Sequence, residues 1–182
     1  MYESIELSKT DILRYLKLIN DKLKVLNQEG EINICGGAAM ALVYNTRDAT
    51  YDIDALYKPK EVMDDIIASI AEEQGLDTHW LNDDVSMFIS ELPELTVTEY
   101  LSYSNLKINM VDAKCLLTMK LMSAREESND LLDAVALIKS LNINSVEQLY
   151  ALINNYIGRY HPNSILESKK FADIAFKRAK QQ

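Results

Sequence analysis

The chain has 182 residues, 48% of them hydrophobic, and sets 28 acidic against 19 basic side chains for a net charge of −9. That excess of carboxylates excludes a protein that coats nucleic acid nonspecifically, a mode that draws on many Lys and Arg contacts to phosphate; a single nucleotide in a local cationic pocket stays compatible with it. The length suffices for one buried core with or without a helical extension, and no apolar run reaches the roughly 18 residues of a membrane helix and no cationic leader precedes an apolar core, so a cytoplasmic protein without membrane contact is expected.

Ser8, with Asp11 three residues on, is a helix-start signature, and Ile12, Leu13, Leu16, Leu18, Ile19, Leu23 and Leu26 recur at helical spacing, predicting a helix that ends near Gly30. Ile32 to Cys35 then reads as a short strand, and Gly36-Gly37 breaks it before the buried helical stretch Ala38 to Val43. Glycines at a strand-to-helix turn let a phosphate approach backbone N–H groups at the positive end of a helix dipole; they equally suit a tight turn with a close helix–sheet contact. Next, Thr50 to Tyr57 reads as one strand whose alternation puts Asp52 and Asp54 on one face. Two carboxylates side by side repel, and sharing a divalent cation relieves that cost; magnesium favours such hard oxygens with substrate phosphates completing its shell. Arg47, in the loop before this strand, suits a triphosphate or plain solvent.

Pro59 ends the strand, and residues 61–74 form a helix with Val62, Met63, Ile66, Ile67 and Ile70 inward, stopped by Gly75. Two strands follow, Leu95 to Ser102 and Leu106 to Val111, then a helix from Asp112 at its N-cap to Arg125. Lys120 is out of place on that mainly apolar helix unless it snorkels or meets an anion. Asp130 and Asp133 share a face at the start of the next helix, where Asp130 also suits an N-cap. Two further helices close the chain. One starts at Ser145 with Val146, Leu149, Leu152 and Ile153 inward; the other starts near Pro162 with Ile165, Leu166, Phe171, Ile174 and Phe176 apolar. The last stretch holds Lys169, Lys170, Lys177, Arg178 and Lys180 against Glu167 and Asp173, which reads as a solvated face or an RNA contact.

Gly36-Gly37, Arg47, Thr50 and Asp52-Ile53-Asp54 together resemble the nucleotidyltransferase-like fold of DNA polymerase beta, whose signature is a Gly-Gly or Gly-Ser turn followed by a DxD strand. The nearer likeness is to AbiEii-type nucleotidyltransferase toxins and related uncharacterised bacterial families. It extends over residues 31–138 and includes Trp80-Leu81-Asn82-Asp83, Lys120-Leu121 with Ala124-Arg125, and Asp130 with Asp133. The resemblance implies an α/β (α+β) fold: a mixed sheet flanked by helices over residues 1–140, with a helical extension over 141–182 packed on it. It also implies transfer of a nucleoside monophosphate from a nucleoside triphosphate to an RNA, protein or small-molecule acceptor, and a toxin role in a toxin–antitoxin pair with an antitoxin partner. Asp52 and Asp54 would then hold magnesium or manganese. Gly36, Gly37, Arg47, Thr50, Lys120 and Arg125 would bind the nucleotide, and Lys120 and Asp130 would complete the active site.

One departure matters. Polymerase-like members carry a third carboxylate on a later strand, and alternation offers Asn109 there, which cannot ionise. Either Asp130 takes over, with Asp112 a weaker substitute, or the chain is a noncatalytic, antitoxin-like binding partner on the same scaffold. Other chemistries have little material: two histidines, two isolated cysteines (Cys35 and Cys115) and five glycines without a phosphate-loop motif.

Overall fold

The structure, a computed structural model, describes residues 5–86, 95–123, 129–156 and 162–181. The chain divides into two compact units: Met1–Ser90 with Val97–Val111, and Glu91–Thr96 with Asp112–Gln182.

In the first unit β1 (Leu7–Ser8) leads into α1 (Lys9–Val25) through the predicted capping box. The Ser8 hydroxyl accepts the Asp11 amide at 3.2 Å, and the Asp11 carboxylate accepts the Ser8 amide at 3.1 Å. The helix stops short of Gly30. Asn27 takes the left-handed conformation (φ 53°), its amide reaches Lys24 O at 3.1 Å, and the Gln28 amide reaches Leu23 O at 3.0 Å. This is a Schellman closure with Asn in the place Gly more often fills. Ile12, Leu16, Ile19 and Leu23 are buried, whereas Leu26, the C-cap, is exposed.

After β2 (Gly30–Ile34) come α2 (Gly36–Ala39), a π-helical turn (Met40–Tyr44) and the short β3 (Ala49–Thr50). Then follow β4 (Ile53–Lys58), α3 (Lys60–Gln74), β5 (Leu81–Asn82), β6 (Val97–Ser102) and β7 (Leu106–Val111). The strand read as continuous from Thr50 to Tyr57 is therefore split. Its first residues are claimed by β1, with Leu7 opposite Thr50, so Tyr51 and Asp52 form the crossing between two sheets.

Five strands form a mixed sheet in the order β5-β4-β2-β7-β6; β2 runs antiparallel to β4 and parallel to β7, and β4 runs parallel to β5. Register gives the sheet two unlike faces. Ile32 lies opposite Tyr57 and Ile108, and Ile34 opposite Ala55 and Met110, so this side is apolar. Asn33 lies opposite Leu56 and Asn109, and Glu31 opposite Lys58 and Lys107, so the other side carries the polar residues, Asp54 among them by alternation. Trp80 ties the middle of α3 to α1: its indole N–H donates to Ile67 O at 3.2 Å and its ring meets Tyr15 edge-on, centroids 5.3 Å apart. Gly75, at φ 67°, stops α3 as expected.

The second unit holds four helices among the described residues: α4 (Ala113–Ser123), α5 (Asp130–Ser140), α6 (Val146–Tyr156) and α7 (Pro162–Gln181). Asp112 caps α4, its carboxylate accepting the amides of Lys114 at 2.8 Å and Cys115 at 3.1 Å. The Gln148 side chain accepts the Ser145 amide at 3.2 Å at the start of α6. In α7 the buried stripe is Ser168, Phe171, Ala172, Ala175 and Ala179, while Leu166 and Ile174, read as apolar anchors, are exposed. Apart from Phe171, the buried side chains of this helix are small. Among the described residues no helix is long and apolar enough to cross a membrane.

Candidate active site

Pairing of β2 with β4 brings the end of one strand against the start of the other: the Cys35 amide donates to Asp54 O at 2.9 Å. The glycine turn then passes directly under the Asp54 side chain. Gly36 has φ +59°, and a Cβ there would overlap Asp54 Oδ2 and lie 3.0 Å from Asp54 Cβ. Two independent demands, left-handed backbone and absent side chain, thus converge on Gly36. At Gly37 a Cβ would come within 2.6 Å of Thr50 Oγ1 and 2.8 Å of Arg47 Nη1. The first unit therefore gathers Gly36, Gly37, Arg47, Thr50 and Asp54 at one turn, five of the residues singled out in the sequence.

Asp52 joins them electrostatically. It is half-buried, and burial pushes its carboxyl above the usual carboxylate range; the nearby Asp84 carboxylate adds to this, while the Arg47 guanidinium and a hydrogen bond from the Asn82 side chain oppose it. Asp54 stands beside Asn82 in the parallel β4–β5 ladder. A carboxyl whose pKa is raised by folding adds stability at pH below its unfolded value and loses it as pH rises through the folded one. Asp52→Asn is accordingly expected to raise the thermal midpoint of the metal-free protein at pH 7, and the gain to shrink towards pH 4, in paired melts across that range. A midpoint lowered at pH 7 would contradict the assignment.

In the second unit Lys120 meets an anion within the chain. Its ammonium lies 2.7 Å from Asp130 Oδ1 and 3.1 Å from Asp133 Oδ2, and the Ser123 hydroxyl donates to Asp130 Oδ2 at 2.9 Å. All three ionised side chains are buried. Asn129 occupies the N-cap of α5, so Asp130 is the first helical residue rather than the cap, and it faces Lys120 across the α4–α5 contact. For Lys120 to reach a phosphate these partners would have to be exchanged.

The model of a family described as nucleotidyltransferase of unknown function (DUF6036) matches residues 14–181. The chain belongs to this family. No curated protein and no solved structure matches it. The mixed sheet, the strand–Gly-Gly–helix turn and the Asp54 strand beside it are consistent with the nucleotidyltransferase-like fold that membership implies.

Measured against the nucleotidyltransferase pattern, the third-acid position holds Asn109, on the same sheet face as Asp54 by register. It is buried, and its amide donates to Asn33 Oδ1 at 2.7 Å. Among the described residues no three His, Cys, Asp or Glu side chains are grouped to hold a metal ion. Asp112 is engaged as the α4 cap. Arg125 lies outside the described residues. Sequence reasoning missed Asn82 and Asp84 as neighbours of Asp52; the available signal was the polar run after Trp80, which lacks the periodicity that marks a strand.

Proposed function

We propose that this family member is a metal-dependent nucleotidyltransferase. The observation that carries this is the contact between the Gly36 backbone and the Asp54 carboxylate, with Arg47 and Thr50 set against Gly37. A turn built without side chains, one basic group and two carboxylates is what a triphosphate with a divalent cation requires. The donor set fits magnesium or manganese: Asp52 and Asp54 supply hard oxygens, and one or two carboxylates suffice when substrate phosphates complete the shell. When bound, the cation would supply charge neutralisation at the phosphates and lower the pKa of the attacking hydroxyl.

The chain's own groups account for the remainder. Gly36 and Gly37 let the β- and γ-phosphates approach backbone N–H groups, and Arg47 offsets their charge. An acceptor oxygen attacks the α-phosphorus; the new P–O bond forms as the bond to the bridging oxygen breaks, pyrophosphate leaves, and the acceptor's proton passes to water. The acceptor is an RNA, a protein or a small molecule, since the scaffold alone does not choose among them. Likeness of the motifs to AbiEii-type toxins makes growth arrest the phenotype to seek on expression, with an antitoxin as partner.

A second reading, a noncatalytic binding partner, draws on one observation: Asn109, hydrogen-bonded to Asn33, stands where a third acid would be. Incubation with magnesium, each α-labelled nucleoside triphosphate and candidate acceptors separates the two. Label transfer matched by pyrophosphate release supports the enzyme. Binding of a nucleotide with neither product supports the noncatalytic protein.

A further inference from the structure

We infer that Asn109 selects the sugar of the nucleotide, its carboxamide oxygen accepting a hydrogen bond from a ribose hydroxyl; this rests on the nucleotide site proposed above. Asn109 is 3% exposed, a depth at which polar groups are kept with their hydrogen bonds made. Its Nδ2 donates to Asn33 Oδ1 at 2.7 Å, Asn33 Nδ2 donates in turn to Glu31 Oε1 at 3.3 Å, and Glu31 Oε2 lies 3.2 Å from the Lys58 ammonium. The chain of bonds has one direction. An ionised carboxylate only accepts, so Glu31 takes the amino group of Asn33, which turns the Asn33 oxygen to the amino group of Asn109. Asn109 Oδ1 is left over, an acceptor with no protein partner among the described residues. The atom keeps contact with solvent, so a ligand can reach it.

Position in the sheet decides which donor this oxygen meets. Cys35 is bonded to Asp54 across β2 and β4, and Asn33, two residues earlier in β2, is paired with Asn109 of β7. Asn109 thus stands on the face of Asp54, two strands across and two residues further from the glycine turn, about 10 Å by about 7 Å at ordinary strand spacing and rise. An attacking oxygen must come within about 3–3.5 Å of the α-phosphorus, so phosphates held at the turn and at Asp54 leave Asn109 away from the reacting atoms. The part of the nucleotide that extends down the strands from there is the sugar. A carboxylate at this position would repel the phosphates, whereas a carboxamide accepts a hydroxyl without adding charge.

The test titrates the full chain, with magnesium, against the non-hydrolysable α,β-methylene triphosphates of the four ribonucleosides and against their 2′,3′-dideoxy forms. One neutral hydrogen bond is worth about 3- to 10-fold in affinity, so the wild-type chain is expected to bind its preferred ribose form tighter than the dideoxy form by about that factor, and Asn109→Ala to bind the two alike. Should that variant fail to fold, NMR of the wild-type chain decides: the Asn109 side-chain amide signals should differ between the complexes with the ribose and the dideoxy form. Equal wild-type affinity for the two forms, a ribose preference kept in Asn109→Ala, or identical Asn109 signals in the two complexes would overturn the sugar-selecting role alone. Binding of none of the probes by the wild-type chain would overturn the nucleotide site and this role with it.

Discussion

Asp54→Ala should lower nucleotidyl transfer by at least about 100-fold, the upper scale of losses seen for residues that merely support a metal ligand, while the thermal midpoint stays near that of the wild-type protein. The fold should survive because β4 is held by backbone pairing with β2 and β5 and by the Cys35–Asp54 main-chain bond, none of which needs the carboxylate. Gly36→Ala makes the informative contrast. Its methyl would overlap Asp54 Oδ2, and its left-handed backbone costs an L-residue about 1–2 kcal/mol. That variant should lose activity and stability together. Pyrophosphate release and differential scanning fluorimetry on the two variants check the pair. Full turnover in Asp54→Ala would remove it from the site.

Lys120→Met is expected to have the largest effect on stability. Lys120 stands between two buried carboxylates, Asp130 at 2.7 Å and Asp133 at 3.1 Å, and removing it takes the ammonium away from both. Breaking a buried pair costs about 3–5 kcal/mol, a large share of the 5–15 kcal/mol that holds a typical domain. Chemical denaturation should report that loss. The combined change Lys120→Met, Asp130→Asn and Asp133→Asn should recover much of it, because the two carboxylate charges leave together with the ammonium that neutralises them. A single variant within about 0.5 kcal/mol of wild type, yet inactive, would instead give Lys120 to the nucleotide.

Features governed by local chemistry were legible in the sequence. The Ser8–Asp11 box, the Gly36-Gly37 break, the Gly75 stop and the Asp112 cap each depend on residues a few positions apart, and each forms as read. What depends on distant partners was not legible. Nothing local says that Leu7 will pair with Thr50 and so detach Asp52 from the strand of Asp54. Asn27 and Asn142 end helices in left-handed conformations that glycine more often marks, which is why α1 was read too long. α7 buries Phe171 with three alanines and leaves Leu166 and Ile174 outside, a choice of face that apolar content alone does not reveal.

The candidate site shows the same division. Alternation, together with the resemblance, pointed to Asn109 as the residue to compare with a third acid, and its register with Asn33 puts it on the face of Asp54. Asn82 stood in the quoted Trp80-Leu81-Asn82-Asp83 segment, but its pairing with Asp54 was not legible, because a two-residue strand has no period. Lys120 was recognised as a cation in need of an anion, and only the packing of α4 against α5 reveals that the chain itself provides two.

The most direct test of the central claim is calorimetric titration of each nucleoside triphosphate, with and without magnesium, into the wild-type chain and Asp52→Asn at moderate salt. Nucleotide binding that requires magnesium and disappears in Asp52→Asn is the predicted result. Binding of equal strength in both proteins, or indifferent to magnesium, would contradict a site built on Asp52, Asp54 and the Gly36-Gly37 turn.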